Sequence, residues 1–405
     1  APVGVHWNDR RWVMAGRVLI VLILGVTLCA GAAAAVSYTA TVNGSQETVT
    51  YEGSGTEADP YLIDGTNAEM LAELQAMNSS GSRDNHFRLS ADIDATATQG
   101  WNGGEGFHPI QGWSDGGLDG ANHTIANLTI ANSSELGGIF ATGEDMAVSN
   151  LLLRNISVAG GSDVGGLIGQ LNGGDITRVK LIGNVTGNGE VGGLIGFLNG
   201  DSNLTNIAVI GDVTNENDDT GGIIGRVNTP GSAQMNNVRV EGNISGRYNL
   251  GGFIGYGFDI VVDQGRFDGH VISSESFGNS FGGAIGGGDT IVIEQVRVNA
   301  SVEGKRHVGG FVGSGSELVE ISQSIGNFSL LRGTDTTSTN GDYGVGGFVG
   351  GQTGSSGDYR IKKSFVDVRR LEVAETDTPT HPFVGVVEAN TAIAINDSFA
   401  VVDQR

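Results

Sequence analysis

The chain has 405 residues, of which 69 are glycine and 6 proline, and 39% are apolar. Glycine without a three-residue period excludes collagen, and the apolar share can build a core, which excludes wholesale disorder. A formal charge of −23, from 45 acidic against 22 basic residues, excludes a nucleic-acid partner, because no basic surface exists to displace phosphate counterions. Lysine occurs only at Lys180, Lys305, Lys362 and Lys363; an acidic, lysine-poor surface suits a high-salt medium that screens its self-repulsion. The single cysteine, Cys29, excludes an intrachain disulfide.

Residues 1–35 read as an export signal or N-terminal anchor. Val18 to Val36 is almost wholly apolar, follows Arg17 and ends in Gly31-Ala32-Ala33-Ala34-Ala35, the order of a charged region, an apolar region and a small-residue cleavage site. Arg10-Arg11-Trp12-Val13-Met14 is similar to a twin-arginine export signal, while a start at Met14 would leave a plain secretory signal. Membrane contact is expected only through this segment, if it is uncleaved.

Residues 36–130 read as N-terminal strands and a small α/β cap. Thr66 and Glu69 have capping-box spacing ahead of Ala68 to Met77, with Met70, Leu74 and Met77 on one helical face. The helix is expected to cover the first coil and its open sheet edge.

From residue 131 to 405 one motif recurs: Leu136-Gly-Gly-Ile-Phe140, Val164-Gly-Gly-Leu-Ile-Gly169, Val191-Gly-Gly-Leu-Ile-Gly196, and so on to Val345-Gly-Gly-Phe-Val-Gly350. A worn copy lies at Phe383-Val384-Gly385. Copies stand 27 to 31 residues apart, with one step of 37. Between them run alternating segments such as Ile176 to Gly187, which suit half-buried strands. A unit this short cannot bury its own apolar face, but stacked units can. The predicted fold is therefore all-β: a right-handed parallel β-solenoid with a small N-terminal α/β cap. The Ile/Val column (Ile168, Ile195, Ile224, Ile254, Ile285, Val312, Val349) is expected to fill the lumen. Its neighbours Leu167, Leu194, Ile223, Phe253, Phe311 and Phe348 have two readings. Either they form an outward stripe for association, or a bulge at the glycine pair turns both columns inward.

These repeats resemble the GLUG-repeat family of bacterial and archaeal surface proteins, with leading segments at Gly53 to Ile63, Phe87 to Asp94 and Asp119 to Ile125. The resemblance implies an extracellular or cell-surface module with a structural or adhesive role; together with the acidic composition and export signal it implies a haloarchaeal-like member. It transfers no catalytic residue.

No catalytic, cofactor or metal site is read from the residues. The seven histidines are scattered, Gly278-Asn-Ser-Phe-Gly282 lies in a repeat and not at a strand-to-helix turn, and no EF-hand spacing occurs. Twelve Asn-x-Ser/Thr sequons occur, of which Asn155, Asn184, Asn243, Asn299 and Asn327 recur at similar repeat positions. They are candidate glycosylation sites, or an asparagine ladder lining a turn. The functional expectation is an extracellular β-solenoid acting by self-association, as a homo-oligomer or filament, or by binding a surface glycan or protein, without enzymatic turnover. The alternative is a carbohydrate-active or glycan-binding β-helix, with Trp101 and Trp113 as stacking residues. A groove holding two carboxylates or a carboxylate–Arg pair would favour that alternative.

Overall fold

A computed structural model describes residues 35–79, 84–132, 136–273, 278–334, 344–353, 357–373, 380–386 and 391–402. The segment read as an export signal lies outside them but for its last residue. Among the described residues, no helix is long and apolar enough to cross a membrane.

Strands β1 (Val36–Val42) and β2 (Ser45–Tyr51) form an antiparallel hairpin. Asn43 and Gly44 turn it with φ of 47° and 76°, the two left-handed residues that a tight hairpin turn needs. β3 (Tyr61–Ile63) leads into helix α1 (Asn67–Ala76), which carries the expected capping box: Thr66 Oγ1 accepts from the Glu69 N–H, and Glu69 Oε2 accepts from the Thr66 N–H at 2.7 Å. Met70, Leu71, Leu74 and Met77 are buried, and α1 packs on β1, β2 and β3. The Gln75 side chain fixes the next loop by donating to the His108 carbonyl at 2.9 Å and accepting its N–H at 3.0 Å.

Parallel pairing begins earlier than the repeats suggest. β3 pairs in parallel with β4 (His86–Leu89), β4 with Gly117–Asp119, and that strand with Phe140–Gly160. Residues from Tyr61 onward therefore belong to the solenoid, and the boundary expected at residue 130 is corrected. The early rungs lack the repeat's glycine-pair corner and turn through short bends and the 3₁₀ turns of Thr96–Gly104. From there every ladder between strands of the described residues is parallel and runs rung to rung, apart from one isolated antiparallel bridge of Gly106 with Ile130, and ends with Gly357–Lys362 on Thr391–Asn396 and Phe365–Val368 on Phe399–Val402.

The lumen is filled by columns of stacked side chains. One runs Leu118, Val148, Ile176, Leu204, Met235 and Val262; all six are at most 1% exposed. At the N-terminal end an aromatic spine, Tyr51, Phe87, Trp113 and Phe140, has successive ring centroids 5.1, 5.5 and 5.4 Å apart. Trp113 is 1% exposed, so its ring belongs to the core and cannot stack on a sugar; Trp101 is partly buried against the same core. Outside, one corner of nearly every rung is a left-handed residue: Asn150, Arg178, Asn206, Asn237, Gln264 and Gln295 have φ of 54° to 58°.

Seven glycine-pair corners, with Thr380–His381 of the worn copy, form their own eight-stranded parallel sheet. Each strand has two or three residues, as Val164–Gly165, which is followed by a bend over Gly166–Leu167 before the chain resumes at Ile168. That bend breaks the alternation a straight strand would impose. Leu167, Leu194, Ile223, Phe253, Phe311 and Phe348 are all 0% exposed, as are Ile168 and Ile195. The outward stripe is overturned: both columns face the lumen, and Phe311, Phe348 and Phe383 stack with centroids 5.6 Å apart. The worn copy is in register, with His381 and Pro382 in place of the glycine pair.

Candidate functional site

Beside the glycine corner, three columns run along the outside of the solenoid. The residue before each Val/Thr/Leu-Gly-Gly gives Asp163, Glu190, Asp219 and Asn249 on successive rungs. Two residues beyond each buried Phe or Ile of the next strand come Thr142, Gln170, Phe197, Arg226 and Tyr256. Two further on lie Glu144, Asn172, Asn199 and Asn228. Successive rungs stand ~4.8 Å apart, so each column is a ladder.

The first two columns are wired together. The Gln170 amide donates to Asp163. Asp219, 1% exposed, accepts from Asn249 Nδ2 at 2.7 Å and from Arg226 Nη1 at 3.2 Å. The Arg226 guanidinium in turn lies 5.4 Å from the Tyr256 ring centroid, a cation–π contact. Glu190 stands beside Asp163, whose Oδ1 accepts the Glu190 backbone N–H at 3.4 Å. Burial first, then Asp163 and the nearby Asp218, push Glu190 up to about 8. Burial pushes Asp219 up to about 7 against the opposing Arg226 and Asn249.

A pH dependence follows. A carboxyl that holds its proton more tightly folded than unfolded makes folding take up protons, so its contribution is full below the ordinary carboxyl range and is lost as pH rises through about 7 to about 8. His307 runs the other way: burial, with Arg306 beside it, pushes it down to about 4, so its contribution stands above its ordinary value and is lost as pH falls. With Glu73 also pushed up to about 7 by burial, the acids outnumber it. The thermal midpoint is expected to fall as pH is raised from about 5 to about 8.5, and Glu190→Gln and Asp219→Asn to flatten that fall. A midpoint that is level or climbs over this range in the parent chain contradicts the arrangement.

Thr142, Glu144, Gln170, Asn172, Phe197 and Asn199 line a groove of about 400 Å³ across the first rungs of this face. The sequence reading missed it. It missed the carboxyl column beside it as well, although there a signal existed, a polar residue at a fixed offset before the glycine pair. The candidate acceptor asparagines lie elsewhere and occupy three positions, not one. Asn155 donates to Asn127 Oδ1 at 2.7 Å; Asn184 and Asn243 flank Asp212, whose backbone N–H and side chain they contact at 3.1 and 3.0 Å; Asn299 and Asn327 stack in a third column. The side-chain nitrogens of Asn155 and Asn243, to which a sugar would be joined, thus serve the ladder. Among the described residues no group of three or more His, Cys, Asp or Glu is placed to hold a metal ion.

No protein-family model matches the chain, so the GLUG resemblance rests on its motif residues. A stretch of 155 residues is 44% identical to part of halomucin from Haloquadratum walsbyi, covering 36% of this chain and 2% of that protein. The chain thus spans a small fraction of the relative it matches. It is also similar to a solved chain from Bacteroides ovatus, provisionally described as an immunoglobulin A1 protease, at 20% identity and a TM-score of 0.46 over 85% of this chain and 86% of that one.

Proposed function

We propose that the chain is an extracellular, cell-surface β-solenoid module of a haloarchaeal type, with a structural or adhesive role exercised by association. Its similarity to a segment of halomucin, its acidic composition and its rigid ladder of rungs support that placement. The observation that carries the associative reading is one outward column. Register links Arg239, Arg266, Arg297, Ile325, Phe365 and Phe399 on successive rungs. Ile325 is 39%, Phe365 37% and Phe399 68% exposed, with Val401 beside them at 54%. Arginine next to exposed aromatic and aliphatic groups is the composition of a protein-contact surface. Arg239 and Arg266 are paired with Glu241 and Asp268 of their own chain, so the exposed Ile325, Phe365 and Phe399 are the part of the column that a second copy would cover. Light scattering across a salt series tests it: the parent chain is expected to self-associate as salt screens the net repulsion, and Phe365→Ser with Phe399→Ser to leave monomers. A parent chain monomeric at every salt concentration sinks the associative reading.

A second reading, a carbohydrate-active enzyme, has the Asp163–Glu190 pair and the Asp219–Arg226 pair in its favour. Glycoside hydrolysis, however, needs its carboxyls about 5 to 9.5 Å apart, with the scissile bond between them. Asp163 is spent on the Gln170 amide and the Glu190 N–H, and Asp219 is sealed from solvent. Release of reducing ends from a polysaccharide, lost in Glu190→Gln, would establish the enzyme nonetheless.

A further inference from the structure

The groove beside the carboxyl ladder is a built arrangement of hydrogen-bonding groups around one partly exposed aromatic side chain, Phe197, with the buried Trp113 also in its lining. Gln170 commits its amide nitrogen to Asp163, which leaves its carbonyl oxygen as an acceptor on the groove side. Asn199 is set the opposite way: its carbonyl accepts from Asn228 Nδ2 at 3.1 Å, leaving its NH₂ to donate. Thr142 Oγ1 accepts the Gly112 N–H at 2.7 Å, so its own hydrogen is free to be given. Asn172 and Glu144, neighbours in register, add an exposed amide and a carboxylate. Phe197, partly exposed, contributes an apolar surface on the rung after Gln170.

Alternating donors and acceptors fixed from behind, beside a flat apolar ring, match a molecule whose edge is hydroxyl groups and whose face is C–H. We infer that this groove binds a neutral saccharide. Its charge decides the class within sugars. Glu144 lies in the lining, the Asp163–Glu190 pair lies just behind Gln170, and no lysine or arginine lines the groove. An anionic sugar would meet like charge, and the nearest cation of the column, Arg226 beside Phe197, is engaged by Asp219. A volume of about 400 Å³ is at the small end for ligand pockets, which run from about 300 to about 1,000 Å³, and suits a short saccharide. Hydrogen bonds and ring contact also survive molar salt, which screens ionic recognition. The inference is independent of the association column, which lies on another face of the rungs.

The test is isothermal titration calorimetry on the intact protein in molar potassium chloride. The probes are cellotetraose, maltotetraose and N-acetylchitotetraose, with tetragalacturonate as the anionic counterpart. Saturable binding of at least one neutral oligosaccharide is expected, weakened about tenfold or more in Phe197→Ala, which removes the ring face, and in Gln170→Glu, which replaces the amide with a carboxylate. Asn199→Ala, which removes the donor amide at a partly exposed position, should weaken it as well. Phe365→Ser should bind the sugar normally while losing self-association, so the two readings fail separately. Silence from all three neutral probes, binding of tetragalacturonate alone, or unchanged affinity in Phe197→Ala, Gln170→Glu and Asn199→Ala overturns the inference.

Discussion

Gly309→Ala is expected to lower the thermal midpoint by about 5 °C or more, at a cost of about 3 kcal/mol or more. A Cβ added at Gly309 would lie 1.8 Å from the Val312 carbonyl oxygen and 2.7 Å from the Gly350 nitrogen one rung away. Both neighbours are backbone, so no side chain can swing aside, and relief requires the bend or the rung spacing to give. Loss of backbone freedom in the unfolded chain, which makes many glycine replacements mildly stabilising, is far smaller. Gly100→Ala provides the comparison, because nothing lies within 4 Å of its added Cβ; it should melt within about a degree of the parent or slightly above. Equal melting of the two variants by circular dichroism would show that the corner is slack.

Ile195→Asp is expected to cost about 3 to 5 kcal/mol and to broaden or abolish the cooperative melt. Ile195 is 0% exposed and sits in register between Ile168 and Ile224. A carboxylate there would have apolar neighbours above and below in its column. The chain would either protonate it, at a cost that grows with pH, or open the rung to water. The loss should therefore be smaller near pH 4 than at pH 8, a signature that simple loss of volume lacks; Ile195→Ala should show a cost of about 2 to 5 kcal/mol with no such slope. An Ile195→Asp variant that melts within a degree or two of the parent places this residue outside the lumen.

Much of the fold was legible because the repeat is dense: the glycine pair, the following Ile/Val and the alternating segments each mark one part of a rung. The capping box at Thr66 and Glu69 was legible for the same reason, being local chemistry at a fixed spacing. What was misread depended on a bend that periodicity does not encode. Leu167 shares parity with outward residues only if the strand runs straight through Gly166, and it does not. The first rungs were read as segments leading into the array and placed with the cap, although Tyr61, Phe87, Leu118 and Val148 follow one another at nearly the repeat spacing; without the full glycine-pair motif they did not read as rungs. The groove was the least visible. Its residues, Gln170, Phe197 and Asn199, differ in chemistry from rung to rung, so they read as scatter until register placed them side by side. The true exposed apolar column was hidden likewise, since Ile325, Phe365 and Phe399 lie in segments whose lengths differ.

The glycine corner also says something about how such a chain can change over time. At Gly192 and at Gly309 the missing Cβ would meet the carbonyl oxygen of the residue three positions on, at 1.9 and 1.8 Å, and a backbone nitrogen of the following rung, in both cases at 2.7 Å. The motif therefore measures the gap to its neighbours and specifies nothing about the loops between. Any two units that keep it can be cut and rejoined at the corner without altering the axial rise. Outer residues are thereby released to vary, and whole rungs to be gained or lost, while a recognition face assembled across several of them, like that around Phe197, is what such shuffling creates or destroys.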